Sequence, residues 1–249
     1  MNTSTPIPMA RLVKVELRKA VDTRAGRWLL IAIGAITFAA IVLYLIFAEP
    51  DEKNFNELAF IAGTPQGFLL PILGILTITS EWSQRTGLVT FTLEPRRQRV
   101  LAAKVIAVMI LGLAALLLLY ALAAIATVIA GATGDGGSWN GALGVAGKLT
   151  LFQFLGLLGG LAFGVVLLNS AAAIVLSFVL PLVISIVFSI VPGLDDAAPW
   201  IDMNTAGQPL FDDGRVDTEV WLQLAVTSLW WVWIPLAVGA RRVLHAEVK

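Results

Sequence analysis

Long apolar runs alternate with shorter polar segments along the whole chain. A helix that crosses a lipid bilayer needs about 20 largely apolar residues. By that measure the runs predict six transmembrane helices, at 28–48, 58–80, 105–131, 149–168, 171–191 and 220–240. The expected fold is therefore all-α, a polytopic membrane protein whose six-helix transmembrane domain covers residues 28–240.

The fourth and fifth spans share one stretch, 149–191, which contains no charged residue and is about twice as long as one span requires. Asn169 and Ser170 form the only adjacent polar pair in it, so we place the turn there. A five-span alternative would put Arg241 and Arg242 on the side opposite the other basic segments. The positive-inside rule argues against that alternative.

Lys and Arg are concentrated in alternate polar segments. Residues 1–27, 81–104 and 241–249 hold 14 of the 17 Lys and Arg residues, whereas the segments between them hold 3 of these and 12 of the 17 acidic residues. Because short cytoplasmic loops carry the excess of Lys and Arg, both termini and loop 81–104 are predicted to be cytoplasmic. Loop 192–219 is predicted to be external.

Composition narrows the classes of protein that fit. Hydrophobic residues make up 58% of the chain and charged residues 14%, against about 45–50% and about 25% in soluble domains. The bilayer is therefore the expected solvent, and most classes of soluble enzyme are excluded. The chain has no cysteine and one histidine, His245, which excludes thiol chemistry and any metal site built on two histidines. We expect no catalytic residue, metal site or cofactor in this chain.

The cytoplasmic N-terminus, residues 1–27, contains an amphipathic pattern. Met9, Val13 and Leu17 recur every four residues among basic side chains, which predicts a helix lying in the cytoplasmic interface of the bilayer. The alternative is a basic tail that only fixes topology.

Loop 192–219 is rich in Pro, Gly and Asp, and we expect it to form a solvated cap on the external side. A substrate gate and a cation site are alternatives, although the paired aspartates at 195–196 and 212–213 lack a recognised ligand spacing.

Small residues and prolines mark two of the spans. Gly156, Gly160 and Gly164 recur every four residues, which predicts close helix packing within the bundle or, alternatively, against a second subunit. Pro65 and Pro71 each remove a backbone donor from the second span and predict a bend there.

Two kinds of chemistry are missing from the sequence. No ionisable residue lies in the middle of a span, which argues against an ion-coupled transporter or a proton pump. The segment GALGVAGKLT approaches the phosphate-binding pattern GxxxxGK[ST], but Ala142 replaces its first glycine and Leu149 its hydroxyl residue. We therefore predict that this chain does not hydrolyse nucleotides by itself.

A polar hairpin, EWSQRTGLVTFTLEPRRQR (Glu81–Arg99), separates the second and third spans. A role in fixing topology explains the sign of its charge. It does not explain its length, the acidic residue directly after the span, or the turn at Pro95. This composition is typical of an element that docks on another protein.

The segment ITSEWSQRTGLVTFTLEPRRQRVLAAKVI resembles the first cytoplasmic loop of type-2 ABC transporter permeases. Those proteins often have a glutamate ending the second helix, an Arg-Thr pair, a Pro-x-x-Arg turn and a lysine opening the third helix. The matching residues here are Glu81, Arg85, Thr86, Pro95, Arg96, Arg97, Arg99 and Lys104. The six spans, the internal termini and the amphipathic N-terminal helix extend the resemblance over nearly the whole chain.

The resemblance implies that loop 81–104 is a coupling loop that docks on a separate ATP-binding cassette subunit. ATP and Mg would bind to that partner, and two permease subunits, identical or homologous, would form one pathway. The complex would lie in a bacterial cytoplasmic (inner) membrane, with tail 241–249 in the cytoplasm and no nucleic acid as a partner. The resemblance favours export, and the uncharged span interiors point to an amphiphilic substrate.

Two other functions stay open on sequence alone. The chain could be the substrate-binding membrane module of an energy-coupling importer, which would bind a small vitamin-like ligand by itself. It could also be a membrane assembly subunit without a transport path, which would have no effect on ATP hydrolysis by any partner. An intramembrane enzyme ranks last, because no base lies beside a candidate nucleophile in the spans.

Overall fold

The computed structural model of the chain describes residues 7–83, 92, 94, 96–211 and 216–245. These residues form helices and contain no β-strand. The helices are α1 (Met9–Asp22), α2 (Arg24–Phe47), α3 (Phe55–Ser83), α4 (Arg97–Thr133), α5 (Ala142–Leu167), α6 (Ser170–Ile190), α7 (Ala198–Ile201), α8 (Met203–Gly207), α9 (Thr218–Ser228) and α10 (Ile234–His245). A π-helical segment, Leu229–Trp233, joins α9 to α10, and short 3-10 turns occupy Pro50–Glu52 and Gln208–Leu210.

Six helical segments are long and apolar enough to cross a membrane: α2, α3, α4, α5, α6 and the continuous stretch Thr218–Leu244, here called the last span. The prediction of an all-α protein with six membrane-spanning helices is thus confirmed. All of these helical segments except α6 are longer than the apolar runs that predicted them. In particular, α4 begins at Arg97, because a helix continues through charged residues as long as its backbone hydrogen bonds are made.

The predicted turn within 149–191 is present. Helix α5 ends at Leu167, Leu168 adopts a left-handed backbone with φ of 53°, and α6 begins at Ser170. The Asn169 side chain accepts a hydrogen bond from the amide of Ala172 at 3.0 Å, which caps the N-terminus of α6. Asn169 is therefore part of the polar break between the two helices and also caps the helix that follows.

Helix α5 lies at the centre of the bundle, between α3 and the last span. Glycines allow both contacts: a Cβ atom at Gly160 would lie 2.2 Å from the carbonyl oxygen of Pro71, and one at Gly74 would lie 2.6 Å from that of Leu157. On the other side, a Cβ at Gly239 would lie 2.8 Å from the backbone of Val165. Backbones approach this closely only where a side chain is absent.

Helix α6 is peripheral by comparison. Ala173 is its one buried residue, and apolar side chains such as Leu182 and Ile190 are exposed on its surface. It contacts α5 and α3 along one side and forms one wall of a cavity described below.

The bundle has two chemically different ends. The basic end carries α1, the start of α4, the turn at 168–170 and the end of α10. The acidic end carries segments 48–54, 134–141, 191–211 and 216–217. At the acidic end, α7 and α8 occupy part of the loop that the sequence suggested only as a solvated cap. The buried Asp202 carboxylate starts α8 by accepting hydrogen bonds from the amides of Asn204 and Thr205, and it also accepts one from the Ser185 hydroxyl at 2.9 Å.

Candidate functional site

Four charged side chains from three helices form a closed set of ion pairs at the basic end. Lys19 Nζ lies 2.8 Å from Glu16 Oε1 and 2.6 Å from Glu81 Oε1. Lys104 Nζ lies 2.7 Å from Glu16 Oε2 and 3.3 Å from Glu81 Oε2. Each side chain has two partners of opposite sign, and we call these four residues the charge ring.

The charge ring is largely removed from solvent. Glu16, Glu81 and Lys104 are each 5% exposed or less, whereas the side chain of Lys19 is 39% exposed. Lys104 also donates to the backbone carbonyl of Thr77 at 3.2 Å. Buried charges are tolerated only when they are paired and hydrogen-bonded, and alternating signs in a ring meet that requirement for all four groups.

The environment of Lys19 favours its charged form. Burial by itself lowers the pKa of Lys19, but the hydrogen bonds and negative charges of Glu16 and Glu81 outweigh it, so the pKa lies above its ordinary value. Lys19 therefore stays protonated at physiological pH.

The ring joins three elements that the sequence separates. Glu16 and Lys19 belong to α1, Glu81 ends α3 and Lys104 lies two turns inside α4. The polar hairpin connects these ends of α3 and α4, and α1 packs against α4 and α2. The ring therefore links the helices at both ends of the hairpin to α1.

Two arginines at the C-terminal end of the hairpin contact other parts of the same chain. Arg97 donates to the carbonyl of Val243 at 2.8 Å, near the C-terminus of α10 where carbonyls have no helical donor. Arg99 donates to the carbonyl of Ile7, which holds the start of the described N-terminal segment against α4. Arg96 is exposed at the N-terminus of α4.

The remaining residues predicted for partner binding, Arg85, Thr86 and Pro95, lie outside the described residues. The structure places Glu81 in the charge ring, where its buried carboxylate contacts α1 and α4 rather than an open surface. Of the three predicted partner-binding arginines that the structure describes, Arg96 is the one that is exposed.

The glycines predicted for helix packing lie on α5. Gly160 and Gly164 face α3, where added Cβ atoms would lie 2.2 Å from the Pro71 carbonyl oxygen and 3.1 Å from the Ile75 Cα. Gly156 has more room, 3.8 Å from the Pro71 side chain. In the structure these glycines allow α5 to pack closely against α3 of the same chain.

Sequence reasoning missed the roles of Glu16 and Lys19, which were read as part of an interfacial helix. A signal was available, because only 5 of the 17 acidic residues lie in the basic segments, which hold 14 Lys and Arg. Glu16 precedes Lys19 by one helical turn, and Glu81 and Lys104 border apolar runs. Such sparse acids beside apolar helices are expected to be paired.

Among the residues that the structure describes, no group of three or more His, Cys, Asp or Glu side chains is arranged to hold a metal ion. Neither a scan against models of protein families nor a search of curated proteins finds a match to this chain.

Proposed function

We propose that this chain is the membrane-spanning subunit of an ATP-driven transporter, similar to the type-2 ABC permeases, and that a separate ATP-binding subunit docks on the hairpin 81–104. The observation that carries the proposal is the charge ring. Two of its ion pairs, Lys19–Glu81 and Lys104–Glu16, join the helices at both ends of the hairpin to α1. A hairpin that only reverses the chain does not need such bonds to a third helix, whereas a hairpin that receives force does.

The charge distribution supports an orientation for this complex. The basic end would face the cytoplasm with both termini, and α1 would lie in the interface of a bacterial cytoplasmic membrane, its cations near anionic lipid. The ATP-binding subunit, carrying ATP and Mg, would then meet the hairpin from the cytoplasmic side. A second permease subunit, identical or homologous, would complete the pathway, with export as the proposed direction.

Co-purification with the ATP-binding protein encoded beside this chain tests the proposal. The informative variant is Arg85→Gln with Arg96→Gln, because these residues belong to the hairpin and its exit and spare the charge ring. The matched control is Lys14→Gln with Arg18→Gln, which removes two exposed cations from the same end of the bundle.

We expect the hairpin variant to retain at most about one tenth of the complex and of its ATP turnover, as for two residues of an interface hot spot. The control variant should retain most of both. Equal recovery of the two variants, or no complex with wild-type chain, would contradict the docking proposal.

Orientation can be tested separately because the chain has no cysteine. Gln98→Cys places a single thiol at the exposed start of α4, and Asp195→Cys places one on the exposed surface of the acidic end. In intact cells, a membrane-impermeant maleimide should label the thiol at position 195 and leave the one at 98 unlabelled until the membrane is opened. The reverse pattern would overturn the assignment of the basic end to the cytoplasm.

A further inference from the structure

A cavity of about 550 Å³ lies between the acidic end and the middle of the spans. Its walls come from α3, α5, α6, α8 and the last span. The volume is in the range of sites that bind drug-sized molecules. None of the described residues that line it carries a charge, and their surfaces are mostly apolar.

Aromatic rings dominate the lining. Seven of the lining residues are Phe or Trp, and several are in ring contact across different helices, including Phe68 on α3 with Phe178 on α6 at 5.9 Å between centroids. Trp231 stacks on Phe163 at 6.3 Å, and its indole Nε1 donates to the carbonyl of Ile201 at 2.6 Å. Trp231 lies in the π-helical segment, a local departure from α-helix that is frequent at functional sites.

A buried side chain also presents an acceptor at the cavity. Gln153 is 4% exposed, and its Nε2 donates to the carbonyl of Gly63 at 2.6 Å, which fixes the orientation of the amide. No described residue donates to its Oε1. That oxygen faces the bare backbone of α3, since a Cβ atom at Gly67 would lie 3.7 Å from it.

Two prolines leave further acceptors beside the same cavity. Pro71 has no N–H to donate to the carbonyl of Gly67, and Pro181 has none to donate to the carbonyl of Ser177. All four residues line the cavity. The hydroxyls of Thr64 and Ser177 offer no replacement, because they donate to carbonyls in their own helices, those of Phe60 and Ile174.

The cavity has aromatic walls, one side-chain acceptor without a donor, two carbonyls without their i+4 helical donor, and no cation among its described lining residues. Such a site selects an apolar molecule that brings hydrogen-bond donors. A primary alkylammonium group has three N–H donors, and its charge is attracted to the faces of aromatic rings. The acidic residues of the segment beyond the cavity would raise the local concentration of cations.

We infer that this cavity binds a lipophilic primary amine, with the ammonium group among Gln153 Oε1 and the carbonyls of Gly67 and Ser177 and the apolar part against the aromatic rings. That such an amine is the transported substrate rests on the function proposed above; that the cavity binds it does not. The site belongs to a single chain and requires neither the ATP-binding partner nor a second permease.

The test is equilibrium binding of radiolabelled dodecylamine to the full chain in lipid nanodiscs, with binding to empty nanodiscs subtracted. Dodecyltrimethylammonium has the same chain and charge but no N–H donor, and dodecanoate has an anionic head. We expect one saturable site for dodecylamine, with at least tenfold weaker binding of the other two. No saturable binding, or equal binding of the trimethylated compound, would overturn the inference.

Substitutions of two prolines test where the ammonium group binds. Pro181→Ala supplies an N–H to the carbonyl of Ser177 and should weaken dodecylamine binding at least threefold. Pro65→Ala is the matched control, because Pro65 also interrupts a span but neither it nor Ile61, whose carbonyl it frees, lines the cavity. Equal affinities of these two variants would contradict the proposed placement of the ammonium group.

Two substitutions of Gln153 are expected to change the affinity for dodecylamine in opposite directions. Gln153→Leu should weaken binding about tenfold, whereas Gln153→Glu keeps the shape and should strengthen binding of dodecylamine without strengthening binding of dodecanoate. If Gln153→Leu does not fold, the Glu variant alone decides, and unchanged affinity there counts against the site. Binding to the isolated chain is independent of co-purification with the ATP-binding subunit, so either proposal can fail without the other.

Discussion

Polar groups are arranged differently in the charge ring and in the cavity lined by aromatic residues, here called the aromatic cavity. In the charge ring, Glu16, Lys19, Glu81 and Lys104 each have two partners, and the network ties α1 to α3 and α4. In the aromatic cavity, Gln153 Oε1 has no donor among the described residues, and prolines withhold donors from two carbonyls.

The two arrangements of polar groups have different energetic consequences. A satisfied network of buried charges resists deformation, since separating any pair leaves an uncompensated charge in an apolar surrounding. Unpaired acceptors in an apolar cavity leave free energy to be gained when a donor arrives. This difference agrees with the two proposals, that the basic end receives force from a docked subunit and that the cavity binds a ligand.

The largest loss of stability should come from removing one positive charge from the charge ring. Lys104→Met leaves Glu16 and Glu81 buried with Lys19 as their remaining ring partner, and should reduce the free energy of unfolding by about 3–5 kcal/mol. The measurement is the folded fraction of the purified chain in detergent during titration with sodium dodecyl sulfate.

Removing a charge of each sign provides the control for that variant. Glu16→Gln with Lys104→Met leaves the pair Lys19–Glu81, which is 2.6 Å apart, and should recover more than half of the lost stability. If the double variant is as unstable as the single one, packing by Lys104 and not its charge would be the source of the effect.

A smaller loss of stability is expected from a substitution at the contact between α3 and α5, beside the cavity. Gly160→Ala places a Cβ atom 2.2 Å from the Pro71 carbonyl oxygen, so the two backbones must separate, at a cost of about 1–3 kcal/mol. Gly147→Ala, on the same helix with no heavy atom within 4 Å of the new Cβ, should be neutral or stabilising by up to about 1 kcal/mol. The same detergent titration compares them, and equal effects would refute the close approach.

The smallest effect is expected within the cavity itself, in the absence of ligand. Gln153→Leu removes one donated hydrogen bond, while the carbonyl of Gly63 keeps its partner in the α3 helix and an unpaired oxygen is lost. The free energy of unfolding should fall by about 1 kcal/mol or less. A loss as large as that of Lys104→Met would show that Gln153 is part of the structural core, and the contrast between the two regions would disappear.

The six spans were predictable because the requirement for about 20 apolar residues acts on each helix separately. The short turn at Asn169 and Ser170 was predictable for the same reason, as the one polar break in a long apolar run. The spacing of Gly156, Gly160 and Gly164 indicated a packing surface, but the sequence could not say whether α3 or a second subunit lies against it.

The short helices α7 and α8 were missed, because their apolar residues are too few to produce a periodic pattern. Asp202 three residues before Thr205 was a possible helix-start signal, yet such a signal is common in loops. Only the contact with Ser185 on α6 shows why this aspartate is buried.

The sequence by itself determined that the chain is an all-helical membrane protein with six spans, since hydrophobicity, length and local turn residues are properties of consecutive positions. The tertiary structure alone decided which distant residues meet. Glu16 and Lys104 are 88 positions apart and join in one ion pair, and the cavity takes its acceptors from α3, α5 and α6. Pairing and cavity shape depend on how helices pack against one another, which no local pattern in one helix specifies.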